Sequence, residues 1–176
     1  MDDSTLPQPT FQGNNNPATI AETAQLIPPI WEVQLIRQPN DNPHRPKITT
    51  AEQAYHILQP YLSHKDREHF LVLMLDLNGR LIGLNTVAIG SLHQAIVTPR
   101  ETFKPAILSN ATAIIVAHNH PSDNLTPSEQ DEQLTRNLIF IGHVLGIELL
   151  DHLIIGSGGQ YLSLRAVDLE NKKPLA

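Results

Sequence analysis

Two histidines, His118 and His120, stand one residue apart, and Ser128 and Asp131 follow after a short Pro-bearing stretch. Imidazole and carboxylate are groups that zinc accepts as ligands. The apolar run Thr112–Ala117 leads into the pair and reads as a strand. Residues i and i+2 at a strand end project to one face, so both rings can reach one point. Asp131 falls about one turn into the helix that leaves the loop, and Ser128 lies three positions before it on the same helical face. Two histidines from a strand and one aspartate from a helix make three protein ligands. The fourth position is then open to water, as in a catalytic rather than a structural zinc site. Zinc lowers the pKa of such a water toward roughly 7 and polarises a carbonyl.

Water activation also needs a proton acceptor, normally a carboxylate. Glu129 reads as a capping residue, so the acceptor is sought outside the motif. Glu68 is the first choice because it opens a buried strand that could neighbour the His118 strand; Glu52, Glu101 and Glu148 compete with it, and a surface charge at a strand edge is its plainer reading. Ser128 either donates to a developing oxyanion or is a first-turn helix serine. His44, His56, His64, His69, His93 and His143 have no partner pattern and read as surface or packing residues. Asp151-His152 reads as a strand pair with a local hydrogen bond, with support of the metal site as the alternative.

The elements that must position these groups are legible from their start and stop signals. Residues 1–29, rich in Pro, Gln, Asn and Thr, read as a flexible arm. Ile30–Arg37 partly alternates and reads as a strand in which Trp31 packs, with a Pro-punctuated loop over 39–46. Thr50-Ala-Glu-Gln53 predicts a helix from about 51 to Leu62, disturbed by Pro60. Glu68–Asp76 predicts a buried strand, Asn78-Gly79 a hairpin turn, and Arg80–Ile89 its partner. Thr98-Pro-Arg-Glu101 opens a helix to about Asn110, perturbed by Pro105, and Thr126-Pro-Ser-Glu129 repeats the signature for a helix to Leu145 stopped by Gly146. Ile147–Ile155 and Gln160–Leu164 predict a last hairpin, and 166–176 a charged peripheral tail. Strands and helices interleave, so the fold class is α/β: a mixed β-sheet with helices on both faces, carried by one domain over 30–165.

Composition narrows the function. At 176 residues and 40% hydrophobic content the chain supports one real core. The absence of cysteine excludes disulfides, thiolate metal sites and the Cys-ligated zinc of nucleobase deaminases. A net charge of −6 argues against tight sequence-independent DNA binding. No run approaches the roughly 18 apolar residues of a membrane span, and the acidic, polar start is unlike a signal peptide, which fits a cytoplasmic location. A His-Glu-x-x-His helix and a Lys-bearing Gly-rich phosphate loop are also absent.

The spacing His118-x-His120-x7-Ser128-x2-Asp131 resembles the JAMM (MPN-type) metallohydrolase motif, which also uses a distant glutamate. More narrowly, His118-Asn-His-Pro-Ser122 before Thr126-Pro-Ser128 is similar to the RadC family. The likeness runs through Arg67-Glu-His-Phe70, Thr98-Pro-Arg-Glu101 and Leu150-Asp-His152 and covers about residues 45–165. The resemblance implies a deaminase-like JAMM/MPN sandwich, Zn2+ held by His118, His120 and Asp131, Glu68 as general base and Ser128 as the oxyanion-stabilising serine. It implies hydrolysis of a peptide or isopeptide bond in a protein substrate; the alternative is a non-catalytic, metal-containing interaction module in DNA repair or recombination. The chain departs from RadC relatives in three ways. Asp123 stands where glycine is usual, Leu125 replaces a common proline, and the helix-hairpin-helix region of longer members, a potential DNA contact, is missing. Asp123 thereby adds a carboxylate beside the site that could tune or compete for the metal.

Overall fold

The computed structural model describes residues 45–90 and 97–165. The expected arm, the Ile30–Arg37 strand, His44, His93, most of the 39–46 loop and the tail lie outside these residues. The described elements run α1 (Ala51–Leu62), β1 (His69–Leu75), β2 (Leu81–Ile89), α2 (Pro99–Leu108), β3 (Ala113–His120), α3 (Glu129–Leu145), β4 (Glu148–Gly156) and β5 (Tyr161–Ser163). None of these helices is long and apolar enough to cross a membrane.

The strands form one sheet in the order β2-β1-β3-β4-β5. β1 pairs antiparallel with β2 and with β3, β3 pairs parallel with β4 through the α3 crossover, and β4 pairs antiparallel with β5. The sheet is mixed because two hairpins flank one β-α-β unit. Helices cover both faces. Tyr55, Leu58 and Leu62 of α1 pack on Leu71, Leu73, Ile115, Ala117 and Leu153. On the other face Phe103 and Ala106 of α2 and Leu138 of α3 meet Phe70, Val72, Ile114, Val116 and Leu149. Alternate residues of the central strands serve alternate cores, which is why β1 and β3 read as continuous apolar runs.

Local chemistry sets the helix ends. Thr50 and Thr98 cap α1 and α2 through their hydroxyl oxygens, and Gly146 ends α3 in the left-handed region at φ 69°. Pro60 and Pro105 lie inside their helices without ending them. Two expectations are corrected. β3 continues past Ala117 to His120, because residues 118–120 pair with Ile154–Gly156 of β4. α3 is capped by Ser128 rather than Thr126, and Glu129 is exposed and takes no part in the capping box; Asp131 fills that place.

Candidate metal centre

β3 carries His118 and His120 on the face covered by α2 and α3. The N-terminus of α3 brings Asp131 to the same point, and one ligand atom from each residue lies within 4.8 Å of the others. His118 and Asp131 are 0% and 1% exposed. The two Nε2 atoms are 3.0 Å apart, and His118 Nε2 is 3.3 Å from Asp131 Oδ1. The local sequence locks the carboxylate in place. Ser128 donates to Asp131 Oδ2 from its backbone N–H (2.8 Å) and its hydroxyl (2.6 Å), and Asp131 N–H returns to the Ser128 oxygen at 3.2 Å. Asp131 Oδ1 is left buried with no hydrogen-bond partner.

Proton positions follow from the partners of each ring. His120 Nδ1 faces the Asn124 carbonyl, so it carries a proton and in the neutral ring Nε2 is the lone pair. Thr135 gives its only hydroxyl proton to the Asp131 carbonyl at 2.6 Å, so it accepts from His152 Nδ1 at 2.6 Å. His152 Nε2 is then the acceptor for His118 Nδ1–H at 2.9 Å, which leaves His118 Nε2 bare as well. Burial, countered by Asp131 and reinforced by His120, holds the His118 imidazole down to about 4. Burial, with His118 and His120 as neighbours, pushes His152 well below the usual range. Both rings are neutral near pH 7.

Three acceptor atoms therefore converge with no donor among them. Such a cluster is costly in a low-dielectric interior unless a cation fills it. A tetrahedral zinc with ligands at about 2.05 Å has edges of about 3.3 Å, close to the 3.0 Å and 3.3 Å separations present here. The donor set fits a zinc-type ion.

Glu68 sits just before β1, whose Phe70 is in register with His118. It lines a cavity of about 210 Å³ together with His120, Ser122, Ser128 and Asp131. Asn119, between the two histidines and on the opposite sheet face, grips the chain on either side of Glu68. Its Oδ1 accepts from His69 N at 2.8 Å and its Nδ2 donates to Arg67 O at 3.0 Å. The fold thus gathers all five sequence-designated residues, His118, His120, Asp131, Ser128 and Glu68. Glu52 and Glu101, by contrast, stand on exposed surfaces of α1 and α2, and Glu148 at the far, N-terminal end of β4.

Two neighbours differ from the sequence reading. His152 is buried on His118, not a strand residue with only a local bond. A register shift makes this possible: Ile114 pairs with Leu149 but Ile115 with Asp151, so Leu150 is an extra residue and His152 turns to the metal face. Asp151 does make the local bonds, to His152 N and the Ser163 hydroxyl. Asp123 is not among the residues gathered at the cluster. Its carboxylate accepts from Ser157 N, Ser157 Oγ and Gly158 N, which hold it below the usual carboxylate range. Its φ of 60° explains why glycine suits this position. Leu125 packs on Ile154 and Leu164. A larger cavity of about 630 Å³, lined by Ile139, Leu149, Thr135 and His152 among others, has none of His118, His120 and Asp131 in its lining.

The chain is similar to proteins of one known family over most of its described residues. The RadC-like JAB domain family matches residues 48–169. A UPF0758 protein of Caldanaerobacter subterraneus is 42% identical over 125 residues, 71% of this chain and 51% of the relative. One from Syntrophomonas wolfei is 44% identical over 133 residues, 76% of this chain and 53% of the relative. One from Chloroflexus aggregans is 51% identical over 109 residues, 62% and 47% of the two chains. The chain spans about half the length of the curated relatives it matches. The fold, the three-acceptor cluster and this match over most of the described residues lead to one conclusion: the chain belongs to the RadC-like JAB domain family.

Proposed function

We propose that the chain is a zinc-dependent hydrolase of amide bonds, peptide or isopeptide, with His118, His120 and Asp131 as ligands and Glu68 as general base. The observation that carries this reading is the convergence of three donorless acceptor atoms beside a cavity that Glu68 also lines. When bound, the ion supplies a more acidic water and a polarised carbonyl. The Glu68 carboxylate takes the proton released by the attacking water and passes it to the leaving amine, so one group serves as base and then acid. Asn119 keeps Glu68 at a fixed height above the histidines by holding both flanking peptide groups. Ser128 orients Asp131 through Oδ2; its hydroxyl serves a developing oxyanion once it leaves that oxygen.

The test combines zinc content with hydrolysis of a quenched-fluorescent peptide library and of an isopeptide-linked pair, in wild type, Glu68→Gln and His120→Ala. One zinc per chain in wild type and Glu68→Gln, turnover in wild type alone, and neither in His120→Ala is the expected pattern. Stoichiometric zinc without turnover against any amide substrate would favour a metal-containing interaction module of repair or recombination. A wild-type protein that takes up no zinc overturns the reading altogether.

A further inference from the structure

We propose that His152 and Thr135 are positioning residues of the metal centre, fixing which nitrogen of His118 is free to bind. The inference rests on the zinc reading above and assigns a role to two groups outside the ligand set. The chain of bonds is continuous and directional: His118 Nδ1–H to His152 Nε2 at 2.9 Å, His152 Nδ1–H to Thr135 Oγ1 at 2.6 Å, and Thr135 O–H to the Asp131 carbonyl at 2.6 Å. It begins on one ligand residue and ends on the backbone of another. Every member has a single orientation, because Thr135 has one proton and a neutral imidazole has one.

Ligating histidines almost always give their second N–H to a carboxylate, a carbonyl or a water. Here the acceptor is a second imidazole, which is itself oriented by a threonine on the ligand-bearing helix. All four groups are buried. Phe70 packs on the His118 ring in a stacked arrangement and on the His152 ring edge-on, closing the relay from the side. The extra residue Leu150 in β4 is what turns His152 to this face. The relay thus ties the strand that offers two ligands to the helix that offers the third, and it keeps His118 Nε2 deprotonated before any ion arrives.

The test measures zinc affinity by competition with a chromophoric chelator, and ring tautomers by two-bond 1H–15N couplings in the metal-free protein. The proteins compared are wild type, His152→Leu, His152→Gln, Thr135→Val and the ligand control His120→Ala. In metal-free wild type, His118 is protonated on Nδ1. His152→Leu removes the acceptor, shifts His118 toward the Nε2–H form and weakens zinc by about 10- to 100-fold, the usual cost of losing an outer partner. His152→Gln keeps an acceptor oxygen and restores most of the affinity. Thr135→Val frees the His152 ring and moves both readouts in the same direction, so a His152→Leu protein that fails to fold still leaves the proposal testable. Unchanged zinc affinity and an unchanged His118 tautomer in His152→Leu overturn it. A wild type that binds no zinc defeats the function proposed above, and the tautomer measurement then decides the relay by itself.

Discussion

Asp131→Asn separates the two roles of this carboxylate, because it should strengthen the metal-free fold while abolishing the metal site. Oδ2 accepts from both Ser128 N and Ser128 Oγ, so the asparagine must place its oxygen there. Its NH2 group then points at the position of Oδ1, 3.3 Å from the bare His118 Nε2. In the wild type that oxygen is buried without a partner, a deficit of about 1–3 kcal/mol. The amide removes the deficit and adds a neutral hydrogen bond of about 1 kcal/mol, against about 1 kcal/mol lost as the charged bonds from Ser128 become neutral. The net gain is about 1–3 kcal/mol. For the roughly 120 residues of the family domain, the unfolding entropy is about 0.25 kcal/mol per kelvin, so the metal-free melting point rises by about 4–12 °C. Zinc acts the other way. At a free concentration about 1,000 times Kd it adds about 4 kcal/mol to the wild type, or about 16 °C, and nothing to the variant. Scanning calorimetry in a chelator and in buffered zinc reads both effects. A variant that melts below the wild type in chelator, or one that zinc stabilises as much as the wild type, refutes the reasoning.

Other expectations follow from single contacts. In chelator, stability falls as pH drops from the ordinary histidine range, 6.5, toward about 4, because the unfolded chain binds a proton at His118 that the fold refuses; the loss is about 3 kcal/mol and is read by urea titration at several pH values, with flat stability across that window as the contrary result. Ser128→Ala removes the α3 cap and one of two donors to Asp131, costing about 1 kcal/mol by denaturant titration and weakening zinc binding. Gly142→Ala puts a methyl 2.5 Å from the Ile147 carbonyl oxygen and 3.2 Å from Phe103, and destabilises by about 1–3 kcal/mol; a neutral effect would mean that the α3–β4 turn yields more easily than its packing implies.

The gathering of His118, His120 and Asp131 was legible because its geometry is local. A strand end and a capped helix start are each encoded within a few residues, and the expected neighbouring of the Glu68 and His118 strands follows in the Phe70–His118 pairing. The helix boundaries at Thr50 and Thr98 were equally readable. At α3 the sequence reading took Thr126 with Glu129 as the cap, whereas the structure uses Ser128 with Asp131, two residues further on. Thr126 N is held by the Asn124 side chain instead. For His152, support of the site was only the second reading, and its bond to His118 Nδ1 was not legible. Its role depends on the parallel β3–β4 pairing and on one extra residue at Leu150, both set by long-range packing rather than by any local pattern. Asn119 was hidden for a similar reason: its value lies in gripping a segment some fifty residues away in sequence. The left-handed turn at Asp123 did leave a trace, as an aspartate where relatives favour glycine.

The most direct test of the central claim is anomalous diffraction at the zinc edge from crystals of the full chain grown with one equivalent of zinc. The expected result is a single peak about 2.0–2.2 Å from His118 Nε2, His120 Nε2 and Asp131 Oδ1. No peak at that point, or an ion bound elsewhere while these three atoms keep their metal-free positions, would contradict it.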